Sequence, residues 1–252
     1  MPIKIAHDAR PQVRTLLVAV ALSVLLWFIP FAEVLTYPFR LFVTFIHEGG
    51  HALAAILTGN SVHSLSVHLN GSGEVISTQG GFLSNIIVSS AGYLGAMLFG
   101  ALLLVAVRRS VAARFVLMGS AAFVLVMTLG YGWWNPFTLL SGITLAGLLL
   151  VAAKFAGRRV ASFLVSFLAV QCVLNAIFDL KTVFFMSSPF APNVHTDAMN
   201  MAAATGIPAL FWTLVWVALA FAILSFALRT YAANKSTPMQ EDLPFEDPTD
   251  TI

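Results

Sequence analysis

Uninterrupted apolar runs constrain this chain more than any other feature. An α-helix needs about 20 predominantly apolar residues to cross roughly 30 Å of hydrocarbon. Runs close to that length recur at residues 13–32, 37–57, 82–107, 115–130, 137–153, 160–180 and 207–228. A water-soluble fold is excluded, because 59% apolar and only 10% charged residues leave too little charge to cover a soluble surface. Residues suited to the membrane interface sit at the edges of the runs, among them Arg108, Arg114, Lys154, Arg158, Arg159, Tyr131, Trp133 and Trp134. The expected fold is therefore an all-α polytopic membrane protein of about seven transmembrane helices, with the lipid bilayer as its solvent. We read the first run as a retained helix rather than a signal peptide, since no small-x-small cleavage site precedes Glu33.

One connection differs from the rest. Between Ser61 and Gln79, Leu65, Val67 and Leu69 alternate with polar residues, Asn70-Gly71-Ser72-Gly73 follows, and a second short run begins at Glu74. This pattern predicts a small β-hairpin after the second helix. Such backbone is tolerated at membrane depth only where protein buries it or water reaches it. No loop is long enough to house an accessory domain, so the expected organisation is an N-terminal tail over 1–12, one membrane-embedded domain over 13–230 and a disordered polar tail over 231–252. The net charge of +2 and the lack of basic runs interleaved with aromatics make nucleic acid an unexpected partner. The single Cys172 excludes an intrachain disulfide or a cysteine metal cluster.

Ionisable residues inside apolar spans need a reason to be there, because hydrocarbon solvates them poorly. His47, Glu48, His51 and Asp179 are the ones that fall deep in spans. His47-Glu48-Gly49-Gly50-His51 forms an H-E-x-x-H pattern within a helical run. At 100° per residue the two imidazoles lie about 40° apart on one face and can grip one Zn²⁺. Glu48 projects far enough round to avoid the metal yet near enough to act as general base toward a zinc-activated water. Gly49 and Gly50 disfavour helix by about 1 kcal/mol each, which suggests close approach of another backbone or a substrate. A catalytic zinc commonly takes a third protein ligand. Asp179 is the best candidate from the residues, with Asn175 one turn earlier on the same face as a supporting polar group. If every span crosses, the second and sixth run parallel and their depths can match. His63, His68, His195 and Asp197 read as loop residues, although His68 on the hairpin could approach the site. Gly92, with Gly95, Ala96 and Gly100, allows close packing of the third span and could line a substrate route.

These residues together resemble the site-2 protease family of intramembrane zinc metalloproteases, in a short form without a PDZ domain. The resemblance rests on Phe45-Ile-His-Glu-Gly-Gly-His-Ala-Leu-Ala54, on Gly71-Ser-Gly-Glu74 in the hairpin, on Ala91-Gly-Tyr-Leu-Gly95, and on Asn175 with Asp179. It implies that His47, His51 and Asp179 hold the zinc, that Glu48 is the base, and that the hairpin dips into the membrane beside them. The family's usual asparagine after Ala-Gly-Pro is replaced here, in Ala91-Gly92-Tyr93-Leu94-Gly95-Ala96. The implied function is endoproteolysis of a membrane-anchored protein within or near its transmembrane segment, and a bacterial cytoplasmic membrane is the expected location. A metal-binding or metal-transport protein using the same ligands, or an inactive protease-like scaffold, are the alternative readings. Orientation carries a conflict. With seven crossings, Lys4, Arg10, Arg14 and Lys181 lie on the hairpin side and the other nine of the 13 Lys and Arg lie opposite. The positive-inside rule then places the hairpin outside, whereas the resemblance places it on the cytoplasmic side.

Overall fold

The computed structural model describes residues 10–26, 28–108, 112–187 and 196–232. The expected polar tail from residue 233 onward, the first nine residues and His195 lie outside the described residues. The elements run α1 (Arg10–Leu26), α2 (Ala32–Leu57), β1 (Val62–Val67), β2 (Gly73–Ser77), α3 (Phe82–Arg108), α4 (Ala113–Tyr131), α5 (Pro136–Phe155), α6 (Arg158–Met186), α7 (Asp197–Thr205) and α8 (Ala209–Ala232). Among the described residues each apolar run of the sequence contains a helix, the first ending at Leu26 and the last beginning at Ala209. The short α7, too brief to register as a run, is an addition.

The expected count of about seven crossings is not confirmed. Five helices, α3, α4, α5, α6 and α8, are long and apolar enough to span a membrane. The 26-residue α2 has the length, but Glu33, Arg40, His47, Glu48 and His51 lower its hydropathy. His47, Glu48 and His51 among them build the site. Helix α1 runs in the same direction as α6: Ala19 packs on Phe167 and Val170, and the Gln171 side-chain amide donates to Ser23 Oγ at 3.2 Å. Strict alternation of seven crossings would make α1 and α6 antiparallel. Instead α1 and α2 both run in the direction of α6, with Ala19 and Phe39 packed side by side on Phe167.

The core lies where α2, α3 and α6 meet. Phe42 and Phe45 of α2, Met97 of α3 and Leu180 of α6 are buried within it. Gly100 of α3 sits where a Cβ would press on the Ala169 carbonyl and the Cys172 and Val173 side chains, so its small size lets α3 approach α6 closely.

The hairpin forms as the alternation predicts. β1 and β2 are antiparallel, pairing Leu65 with Val75, Ser66 with Glu74 and Val67 with Gly73, with an irregularity near His63. Leu65 and Val67 are fully buried and face the helices. Three side chains of α2 clasp the hairpin tip through successive carbonyls: Tyr37 Oη donates to Leu69 O (2.7 Å), Arg40 Nη2 to Asn70 O (2.6 Å) and Thr44 Oγ1 to Gly71 O (2.8 Å). On the other side, Val67 N donates to Thr138 Oγ1 of α5 at 2.7 Å, and that hydroxyl donates to Val67 O at 3.2 Å. The helix that carries the H-E-x-x-H pattern thus also fixes where the hairpin lies.

Candidate metal centre

His47 and His51, one helical turn apart on α2, present their Nε2 atoms to each other at 3.1 Å. Asp197, the first residue of α7, brings its Oδ2 to 3.6 Å from His47 Nε2 and 3.3 Å from His51 Nε2. Among the described residues these three form the group whose ligand atoms lie within 4.8 Å of one another. Zn–N and Zn–O distances near 2.0–2.1 Å in tetrahedral geometry place neighbouring ligand atoms about 3.3 Å apart. The three separations therefore fit a single divalent ion without rearrangement. Tautomer control points the same way. His51 Nδ1 lies 2.7 Å from the Val88 carbonyl, which can only accept, so the proton resides on Nδ1 and the Nε2 lone pair faces the centre.

The centre is packed tightly around these atoms. A Cβ at Gly92 of α3 would fall on both His47 Nε2 and His51 Nε2, so glycine there leaves room for the facing imidazoles. Gly50 packs under the Ala91 carbonyl and Gly49 against the Phe123 ring, which makes them contact points of α2 with its neighbouring helices. Glu48 is only 6% exposed, and its carboxylate lies against the α-carbon of Gly73, the first residue of β2. The side chain of Tyr93 meets the His47 ring edge-on, centroids 4.7 Å apart.

Two open cavities flank the centre and share His47, Glu48, Gly73, Tyr93 and Thr196 as walls. The larger, about 740 Å³, is bounded by β2 from Gly73 to Ser77 and by Asp197. The smaller, about 480 Å³, holds Arg40, the hairpin tip, Asn175 and Asp179. Asp179 is thus a neighbour of the centre, exposed on α6 and outside the group of three ligand atoms. Asn175 Nδ2 donates to the Gln171 carbonyl at 2.8 Å and lines the same cavity. His68 is exposed at the end of the hairpin and lines neither cavity, and His63 is likewise exposed on β1.

Sequence reasoning placed Asp197 among loop residues. The helix that carries it is nine residues long, capped by the Thr196 side chain, which accepts from Met199 N, and closed by Gly206 in the left-handed region at φ 72°. A Thr-Asp start and a Gly stop bracketing Ala198–Thr205 signal the helix itself, while its packing onto α3 leaves no such signal. Burial acts to raise the pKa of the Asp197 carboxyl, but the adjacent His51 and His47 imidazoles more than offset this and hold it below the usual carboxylate range.

The Peptidase M50B-like family matches the chain over residues 15–227. Neither a curated protein nor a solved structure matches it.

Proposed function

Because the chain belongs to the Peptidase M50B-like family, the site-2 protease family, we propose that it is an intramembrane zinc-dependent endopeptidase. Its substrate is a membrane-anchored protein, cut within or near the transmembrane segment. The observation that carries this reading is the convergence of His47 Nε2, His51 Nε2 and Asp197 Oδ2 at separations suited to one ion, with the Glu48 carboxylate buried one residue away. We assign His47, His51 and Asp197 as the ligands. Asp179 and Asn175 then serve as polar walls of the adjoining groove rather than as ligands.

A bound Zn²⁺ would lower the pKa of a water in its open position toward about 7 and polarise the scissile carbonyl. The chain's own groups supply the rest. Glu48 accepts a proton from the attacking water on its carboxylate and delivers it to the leaving amide nitrogen, which restores the base for the next cycle. Gly73 keeps the floor beside Glu48 clear, since a Cβ there would occupy the position of the carboxylate.

A peptide must be extended to be cut, and in hydrocarbon its freed N–H and C=O groups need partners. The outer edge of β2 offers them. His68 N donates to Ser72 O, and both polar groups of Val67 turn away from β2 to Thr138. Antiparallel alternation then directs the backbone of Gly73 and Val75 outward, along the wall of the larger cavity. An extended substrate pairs there as an added strand, with its scissile bond drawn over Glu48.

The test is Glu48→Gln assayed on a membrane-anchored substrate alongside zinc content. We expect cleavage to fall by at least about 10³-fold with zinc retained, and full cleavage by that variant would overturn the mechanism. Transport of Zn²⁺ into vesicles without cleavage would replace the reading by a carrier.

A further inference from the structure

We infer that Tyr93 is a positioning residue for the metal centre: its phenolic O–H donates to the Asp197 carboxylate and holds that ligand toward the two imidazoles. The inference rests on the assignment of His47, His51 and Asp197 as ligands. Tyr93 follows Gly92 on α3, is 7% exposed, and lines the larger cavity together with Asp197. Its ring is fixed from two directions. One contact is the edge-on approach to His47, with an interplanar angle of 75°. The other is Trp216 of α8, whose ring centroid lies 5.5 Å away and whose indole N–H donates to Ser90 Oγ at 3.0 Å, one turn before Tyr93 on the same helix. A ring wedged between His47 and a fully buried tryptophan has little freedom to swing, so the hydroxyl is held in place by packing.

Asp197 needs such a partner more than the histidines do. His47 and His51 belong to one long helix, and His51 is oriented by the Val88 carbonyl. Asp197 stands at the start of a nine-residue helix, 20% exposed to the larger cavity. It turns Oδ2 to both imidazoles, which leaves the second oxygen to be satisfied by a donor or by water. A phenol donating from a packed wall keeps the carboxylate from rotating into the cavity, the orienting role that partners of metal-binding carboxylates commonly play.

Tyr93→Phe tests this in the full-length purified chain, because phenylalanine keeps the ring against His47 and Trp216 and removes only the hydroxyl. Zinc affinity is read by competition with a chromophoric chelator, and ligand geometry by the visible absorption of the Co²⁺-loaded protein. We expect affinity to fall about 10- to 100-fold, the Co²⁺ bands to shift, and the thermal midpoint of the metal-free protein to stay put. Adding Tyr93→Phe to Asp197→Asn should cost less than adding it to the wild type. Wild-type affinity and spectrum in Tyr93→Phe would overturn the inference, as would an equal loss in the Asp197→Asn background. Wild-type protein that takes up no Zn²⁺ or Co²⁺ would instead remove the metal-centre reading itself, and this inference with it.

Discussion

At the scale of single residues, the centre depends on space as much as on ligands. Gly92→Ala would drive a methyl group onto both His47 Nε2 and His51 Nε2. We expect it to weaken zinc binding more than a hundredfold while leaving the helices folded, measured by chelator competition and circular dichroism. A near wild-type affinity would mean that the imidazoles do not face α3 as described. His47, Glu48 and His51 were legible in the sequence because the whole pattern lies within one turn of one helix, where spacing translates directly into geometry. Asp197 was not, because its place depends on how α7 folds back onto α3, and a lone acid after a threonine carries no signature of that. Asp179 lies in an apolar run of the sequence, and it lines a cavity that His47 and Glu48 also border, outside the group of three ligand atoms.

At the scale of elements, the hairpin was readable from its two-residue alternation and its Asn-Gly turn, since both are local. Its attachment was not, because Tyr37, Arg40, Thr44 and Thr138 bind backbone carbonyls or amides and leave no pattern of complementary side chains. Thr138→Val keeps the shape but strands the buried N–H and C=O of Val67. We expect a loss of about 1–3 kcal/mol in stability, seen in denaturant unfolding, together with slower cleavage as the β2 edge shifts against Glu48. The edge itself can be tested without disturbing the ladder. Val75→Pro removes an N–H that points away from β1, so the fold and the metal should survive. If substrate adds to β2 as a strand, KM for a membrane-anchored substrate rises several-fold with zinc content unchanged, and an unaltered KM would place the substrate elsewhere.

At the scale of the whole molecule, the direction of α1 changes the charge count. Its start lies beside the start of α6, where Gln12 and Thr15 share a cavity with Arg114, Lys154, Arg158 and Arg159, so Arg14 stands at the same end, with Arg108 and Arg229 near the close of α3 and α8. The hairpin end holds Arg40 and Lys181. The asymmetry is steeper than seven alternating crossings implied, and the positive-inside rule then puts the basic end in the cytoplasm and the mouth of the centre on the opposite face. Cys172 is fully buried, so introduced cysteines can be labelled without background. In intact cells a membrane-impermeant maleimide should label Gln79→Cys and spare Arg159→Cys, and the reverse pattern would turn the protein over. The fold class was readable because hydropathy sets it directly. Helix direction was not, because a run long enough to span, such as that of α1, need not run opposite to its successor.

The claim beneath all of this is that two imidazoles from α2 and one carboxylate from α7 share a single ion. Zinc per chain, measured by mass spectrometry on purified wild type and on His47→Ala, His51→Ala, Asp197→Ala and Asp179→Ala, tests it most directly. The account predicts one zinc in the wild type and in Asp179→Ala, and loss of the metal in the other three. Full zinc in Asp197→Ala with loss in Asp179→Ala would contradict it.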